Sequence, residues 1–369
     1  MNKIIEDIGL LVERESPSSD LEAVAASADT VAALGAALLG VAPERIVREG
    51  VTHLRWRFGD PQVLLLGHHD TVWPLGTIER LPFTVEDSVL RGPGCLDMKT
   101  GIVIALHAAA ALEDRDGLCI LITGDEELGS MTSRGLIEES AAGCEAVFVL
   151  EAAADGGALK VARKGVSDYR ILVTGRAAHA GLDPERGINA AVEAARLVLK
   201  VADLGDAVTG TSVTPTMMQA GTTTNTVPAS GEFAVDVRVW TLHEQARVDR
   251  AIRGLRTKLS GAEVRIEGGP NRPPMEESAS AGLFALAQSI AADAGWEPLD
   301  AASVGGASDG NFTAALGIPT LDGLGAVGDG AHADDERVDV RAIGRRIVLL
   351  QGLIQRVLSV AYEEPMRRP

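Results

Sequence analysis

Val63-Leu64-Leu65-Leu66-Gly67-His68-His69-Asp70 is the stretch whose reading decides the fold. Four successive aliphatic residues without polar alternation read as a strand buried on both faces, as in the parallel sheet of an α/β protein. The run stops at two histidines and an aspartate. In open α/β sheets ligands bind beyond the carboxyl ends of the strands, so side chains delivered there are aimed at a site. A neutral imidazole binds a metal, and a neighbouring carboxylate fixes its ring and raises its basicity. His68-x-Asp70 supplies both groups, with His68 as the ligand.

Two further apolar runs end the same way. Leu118-Cys119-Ile120-Leu121-Ile122-Thr123 leads to Asp125-Glu126-Glu127, and Ala146-Val147-Phe148-Val149-Leu150 leads to Glu151. Scattered acidic residues rarely respect strand ends three times. Between the first two runs lies a glycine-rich loop, Arg91-Gly92-Pro93-Gly94-Cys95-Leu96-Asp97-Met98-Lys99-Thr100-Gly101, with a helix expected over 102–112. The loop lacks the lysine and serine or threonine of a phosphate cradle, which sets nucleotide binding aside.

Outward from this centre, Ile4, Ile5, Ile8, Leu11 and Val12 recur at helical spacing, and Asp20 is placed to cap a second, alanine-rich helix through Leu38. Leu54, Trp56 and Phe58 alternate with Arg55 and Arg57, as in a half-exposed strand. From Val166 to about Gly269 the order reads strand, helix, two strands, helix, strand, a small sheet with helices on one face. The α/β pattern then resumes, with helices over 279–294 and 342–360, a strand over 318–321, and His332 in a loop. The expected organisation is a first catalytic part over 1–164, an inserted dimerisation or lid domain over 165–272, and a second catalytic part over 273–369. The fold class is α/β, a mixed and mainly parallel sheet sandwiched by helices, with a smaller α+β insertion.

At 369 residues the chain suggests about two domains, and 46% hydrophobic residues suit a packed globule rather than a disordered one. A net charge of -18 argues against nucleic acid or an anionic membrane as the main partner. Cys95, Cys119 and Cys144 are odd in number and unpaired in spacing, which reads as reduced thiols in a cytoplasmic protein. The opening residues 1–7 have no apolar signal core, and no stretch reads as long enough to span a membrane.

The quoted motifs, with Gly67-His68-His69-Asp70-Thr71-Val72-Trp73-Pro74, Thr123-Gly124-Asp125-Glu126-Glu127-Leu128-Gly129-Ser130 and Glu151, resemble the M20 metallopeptidases. Trp73-Pro74-Leu75-Gly76-Thr77 points to the glutamate carboxypeptidase-like branch. The resemblance continues through Ala178-His179-Ala180-Gly181, Asn225-Thr226-Val227-Pro228, Asp236-Val237-Arg238, Arg272-Pro273-Pro274 and His332, and so covers essentially the whole chain. It implies two divalent metal ions, usually zinc, with manganese or cobalt also suited to nitrogen and oxygen ligands. Asp97 would bridge them, His68 and Glu151 would complete one site, and Glu127 and His332 the other. Glu126 would be the general base and Asp70 would orient His68. His179 would stabilise the oxyanion, and Asn225, Arg238, Arg272, Gly305 and Gly306 would meet the substrate, with Arg272 preferred for its carboxylate. The peptide bond Asp97-Met98 would be cis, and the protein a homodimer through the inserted domain.

The implied reaction is hydrolysis of an amide or peptide bond next to a free carboxylate, in a small peptide or an N-acyl amino acid. An N-acyl-amino-acid deacylase or desuccinylase is the alternative enzyme reading, and a non-catalytic peptide-carboxylate binding protein is the alternative of another class. His53, His107 and His243 read as structural or surface residues, His69 as facing away from the ligand side, and Cys95 as structural. Two departures from the family pattern, Ala178 before His179 and Ser308-Asp309-Gly310 after the glycines, bear on the substrate pocket.

Overall fold

The computed structural model describes residues 1–363, which fall into two compact units. Of the described residues, one comprises 1–162, 276–304 and 308–363, and the other 163–275 with 305–307.

The first unit opens with α1 (Asn2–Val12) and α2 (Leu21–Leu39), followed by β1 (Glu44–Arg48), β2 (Val51–Phe58) and β3 (Val63–His68). A short helix α3 (Thr77–Arg80) and the hairpin of β4 (Thr84–Glu86) and β5 (Val89–Arg91) precede α4 (Thr100–Ala110). Then come β6 (Leu118–Thr123), α5 (Arg134–Ala141), β7 (Ala146–Val149) and β8 (Leu159–Arg163). The main sheet also takes a strand from the C-terminal part of the chain, Thr320–Leu321, and runs β1-β2-β6-β3-β7 and then that strand. β3, β6, β7 and Thr320–Leu321 are parallel, while β1 and β2 are antiparallel additions at one edge.

Alternation along β3 divides two cores. Val63 and Leu65 face the layer of α1, α2, α4 and the C-terminal helices, whereas Leu64 and Leu66 face Leu136 and Ile137 of α5 together with Phe312. Both faces are therefore sealed, which is why the strand reads as a continuous apolar run.

β2 differs from the half-exposed strand expected. Arg55 is only 9% exposed, because α5 and β1 cover its face, and Glu44 and Glu139 hold the guanidinium at 2.8–2.9 Å. On the other face α2 brings Gly35 so close to Trp56 that an added Cβ would lie 2.3 Å from the indole. α2 is also, at 19 residues and a mean hydropathy of 1.4, of the length and apolarity of a membrane span, which the sequence reading did not anticipate. Its Val24, Ala28, Val31 and Leu34 are buried within the unit, and Asp20 caps it through the N–H groups of Glu22 and Ala23.

The second unit holds β9 (Gly165–Thr174), α6 (Ala190–Ala202), β10 (Ser212–Ala220), β11 (Ser230–Val239), α7 (Leu242–Arg253) and β12 (Glu263–Arg272). Its antiparallel sheet runs β10-β11-β9-β12. Tyr169, Ile171, Val173, Val235 and Val237 point to one face and pack against Leu197 and Val201 of α6 and Val248 and Ile252 of α7. The chain then returns to the first unit through α8 (Ala281–Asp293), β13 (Ala301–Val304), α9 (Gly310–Ala315) and the main-sheet strand β14 (Thr320–Leu321). β15 (Gly328–Asp329), β16 (Arg337–Asp339) and α10 (Val340–Glu363) complete it.

In the second unit Glu244 sits in the first turn of α7 and accepts from Thr211 Oγ1 at 2.7 Å, Thr209 Oγ1 at 3.2 Å and the Arg247 guanidinium at 2.8 Å. Arg247 and the hydroxyls hold its carboxyl down at about 2, from an ordinary 4.5. A depressed carboxyl stabilises the folded state fully above its unfolded value and loses that contribution as pH falls toward the folded one. Glu244→Gln should lower the melting temperature by about 2–4 °C at pH 7, with the gap from wild type narrowing between pH 5 and pH 3. A gap that stays constant with pH would show that the charge of Glu244 contributes nothing.

Candidate metal centre

Parallel register sets His68 beside Thr123 and Leu66 beside Val149, so the chain leaves β3, β6 and β7 at one edge of the sheet. Asp70, Glu126-Glu127 and Glu151 all follow these strand ends. α4 closes on the same edge because residue 101 is glycine: a Cβ there would lie 2.1 Å from the Leu150 carbonyl oxygen. That approach brings in the loop carrying Asp97, whose bond to Met98 is cis.

His68 Nε2 lies 3.2 Å from Asp97 Oδ1 and 3.5 Å from Glu151 Oε1. His332, on a left-handed turn between β15 and β16, places Nε2 3.3 Å from Asp97 Oδ2 and 3.2 Å from Glu127 Oε1. The two oxygens of Asp97 thus face two different imidazoles. His68, Asp97 and Glu127 each present a ligand atom within 4.8 Å of the others.

These groups fit a divalent cation. His68 Nδ1 is 3.0 Å from the Asp70 carbonyl oxygen and 3.4 Å from Asp70 Oδ1, so its N–H donates there and Nε2 keeps its lone pair. Among the described residues Nε2 and Asp97 Oδ1 are buried without a hydrogen bond. Two buried acceptors 3.2 Å apart call for a positive charge between them. Nitrogen and oxygen donors suit zinc, manganese or cobalt.

The electrostatics agree. Burial opposes a charged His68, yet Asp70, Asp97 and Glu151 outweigh it and raise its pKa well above the ordinary value. Asp97 and Glu127 hold His332 up at about 10. Burial would raise Asp97, but His332 and His68 reverse this and keep its carboxyl far below the usual range. Burial dominates at Glu127 and pushes it up, against His332. The surrounding carboxylates thus favour positive charge at this position.

Asp70 is buried and accepts from Ser18 Oγ at 2.7 Å and from the N–H groups of Glu126 and Glu127 at 3.2 Å. It holds both His68 and the loop of Glu126, a residue 9% exposed. Sequence reasoning missed several supporting residues. Ser18 lay unmarked in the break after α1. Glu336 accepts from Trp73 Nε1 and three backbone N–H groups, but in the run Asp334-Asp335-Glu336 it reads as a solvated acid. Asp309 accepts from Ser130 Oγ and from Thr123 Oγ1, beside the loop of Glu126 and Glu127.

The histidines set aside have other partners. His69 Nε2 donates to the Thr52 carbonyl oxygen, and burial lowers its pKa to about 4. His107 is 2.8 Å from Asp7, and His53 is 3.1 Å from Thr132 Oγ1. Burial pushes the Cys95 thiol well up, which disfavours a nucleophile.

The remaining candidates lie in the second unit. His179 and Asn225 occupy adjoining loops, joined by the Ala180 N–H donating to the Asn225 carbonyl oxygen at 2.9 Å. His179 Nδ1 accepts the N–H groups of Gly181 and Leu182, so the neutral ring carries its proton on Nε2. Arg238 is held by Asp236 through three contacts of 2.8–3.0 Å, and Arg272 is buried at the end of β12. A Cβ at Gly305 would meet nothing within 4 Å, and one at Gly306 only Arg163 at 4.0 Å.

The sequence profile of peptidase family M20/M25/M40 matches residues 64–356. Carboxypeptidase G2 of Pseudomonas sp. (strain RS-16) is 31% identical, the alignment covering 95% of this chain and 88% of that protein. Succinyl-diaminopimelate desuccinylase 2 of Shewanella loihica is 28% identical over 84% of this chain and 89% of that one. In fold, the chain is similar to aminopeptidase PepT from Bacillus cereus ATCC 10987, with a TM-score of 0.74, 20% identity and 97% of each chain covered. A profile match over most of the sequence and a relative of this identity along nearly the full length make the chain a member of peptidase family M20/M25/M40, an enzyme of metallopeptidase and amidohydrolase type.

Proposed function

We propose that this enzyme hydrolyses an amide or peptide bond next to a free carboxylate, as a carboxypeptidase acting on small peptides, C-terminal glutamate included. The observation that carries the reading is the division of Asp97 between two imidazoles, each with its own second carboxylate. Asp97 would hold both of two divalent ions, with His68 and Glu151 on one and Glu127 and His332 on the other; zinc is the proposed metal. What such a pair supplies when bound is an acidified water and a polarised carbonyl.

The chain's own groups do the rest. Glu126 takes a proton from the attacking water and passes it to the leaving amine, a transfer contributing about 10²–10⁴-fold. Asp70 keeps the His68 ring and the Glu126 loop in fixed positions. His179, with its proton on Nε2, donates to the developing oxyanion. Arg272 takes the substrate carboxylate as a planar, bidentate cation, with Arg238 as the second choice, and Asn225 assists. The open space at Gly305 and Gly306 suits backbone approach to a substrate.

The desuccinylase relative keeps N-acyl-amino-acid deacylation as the second reading. The three free, buried cysteines suit the cytoplasm. A homodimer through the inserted unit is supported by the edge position of β10, with Met217 and Met218 exposed. A monomeric mass in solution would remove it.

A panel of dipeptides, acyl glutamates and N-acyl amino acids tests the function. About two equivalents of metal and chelator-sensitive cleavage of carboxylate-terminated peptides are expected; a metal-free protein inert on the whole panel would leave only a binding role. Glu126→Gln should retain metal while turnover falls about 10²–10⁴-fold. His179→Ala should lower kcat about 10²–10³-fold with a smaller change in KM. An unchanged kcat would take His179 out of the oxyanion role.

A further inference from the structure

Glu336 stands four residues beyond His332, and the proposed reaction does not use it. Its side chain is 3% exposed. Oε2 accepts from Trp73 Nε1 and the Gly94 N–H, both at 2.8 Å, and Oε1 accepts from the N–H groups of Leu96 at 2.8 Å and Asp97 at 3.1 Å. Gly94 is in the left-handed region at φ 71°, and the N–H groups around it form the kind of concavity in which main chain binds anions. Here the anion is a side chain of the protein.

The other end of Glu336 belongs to the His332 turn. Its N–H donates to the Ala333 carbonyl oxygen at 2.9 Å, closing that turn, and β16 begins at the next residue and pairs with β5. β5 leads directly into the Asp97 loop. One buried carboxylate therefore connects the turn that presents His332 to the loop that presents Asp97, two segments 235 positions apart.

We propose that Glu336 is a positioning residue of the metal centre, setting Asp97 and His332 at ligand spacing before any ion arrives. The proposal rests on the reading of those two residues as ligands. Glutamine would keep the shape, but its amide nitrogen would face N–H groups and accept from none of them. The loop would lose half of its acceptors, and its charge-assisted bonds would become neutral ones. Outer partners of this kind are typically worth about 10–100-fold in metal affinity.

The test titrates metal-free wild type, Glu336→Gln and Asp335→Asn with zinc and cobalt against a competing chelator, with circular dichroism as the check on folding. The expected result is affinity about 10–100-fold weaker in Glu336→Gln, a shifted cobalt absorption spectrum, and no change in Asp335→Asn, which removes a neighbouring exposed charge. Equal affinity in wild type and Glu336→Gln overturns the proposal while leaving the ligand assignment intact. Equal weakening in Asp335→Asn also overturns it, because net charge would then suffice. A wild type that binds neither ion removes the ligand reading, and this proposal with it. If Glu336→Gln does not fold, Trp73→Phe deletes one donor and keeps the carboxylate. A loss of about twofold to fivefold there supports the coupling, and unchanged affinity overturns it.

Discussion

The buried carboxylate of Asp70 is the interaction on which the centre depends. Inside a protein an ionised carboxylate persists only when its lone pairs are taken. Asp70 meets that demand with Ser18 Oγ, the N–H groups of Glu126 and Glu127, and the Nδ1 face of His68. Burial pushes its pKa up, and His68 and Ser18 bring it below the ordinary value. Because all these partners answer to one group, the end of β3, the loop after β6 and the segment before α2 are fixed relative to one another. Glu336 repeats the device beside the turn of His332, with backbone N–H groups again satisfying an internal carboxylate.

Two such anchors leave the centre short of positive charge. Asp97, Glu127 and Glu151 converge on His68 and His332, and both imidazoles rise in pKa in response. An isolated buried charge is expensive, and partial neutralisation by protons is the arrangement open to the chain by itself. A divalent cation held by these residues would supply the same compensation without requiring the imidazoles to be protonated, and would suit the neutral His68 that its Nδ1 bond to Asp70 favours. Charge deficit, orphaned Nε2 and donor geometry are one fact seen from three sides.

The sequence made the strand ends legible because a strand sealed on both faces has no freedom of register. Leu64 and Leu66 face one core and Val63 and Leu65 the other, so the place where the apolar run stops is where the sheet stops. Local capping was legible for the same reason: Asp20 bonds backbone two and three residues ahead. Arg55 was misread because its neutralising partners, Glu44 and Glu139, lie 11 and 84 positions away. Glu336 and Ser18 escaped notice on the same physical ground. A carboxylate or hydroxyl whose hydrogen-bond partners are distant in sequence looks like any surface acid or serine until the chain is folded.

This asymmetry bears on specificity. The proposed metal ligands sit where packing leaves one arrangement, and relatives named for different activities, a carboxypeptidase and a desuccinylase, align along most of this chain. A common centre can serve both, because an acidified water attacks a peptide and an N-acyl amide alike. Discrimination then has to come from groups that contact the rest of the substrate, and a pocket matched to a hydrogen-bonding or charged group rejects analogues far more strongly than one matched to shape alone. In this chain those groups are proposed to be Arg272, Asn225 and the segment at Gly305-Gly306, held by short motifs in a unit with a core of its own. Exchanging side chains there leaves the Asp70 and Asp97 network untouched, so substrate choice can change while the hydrolytic centre stays constant.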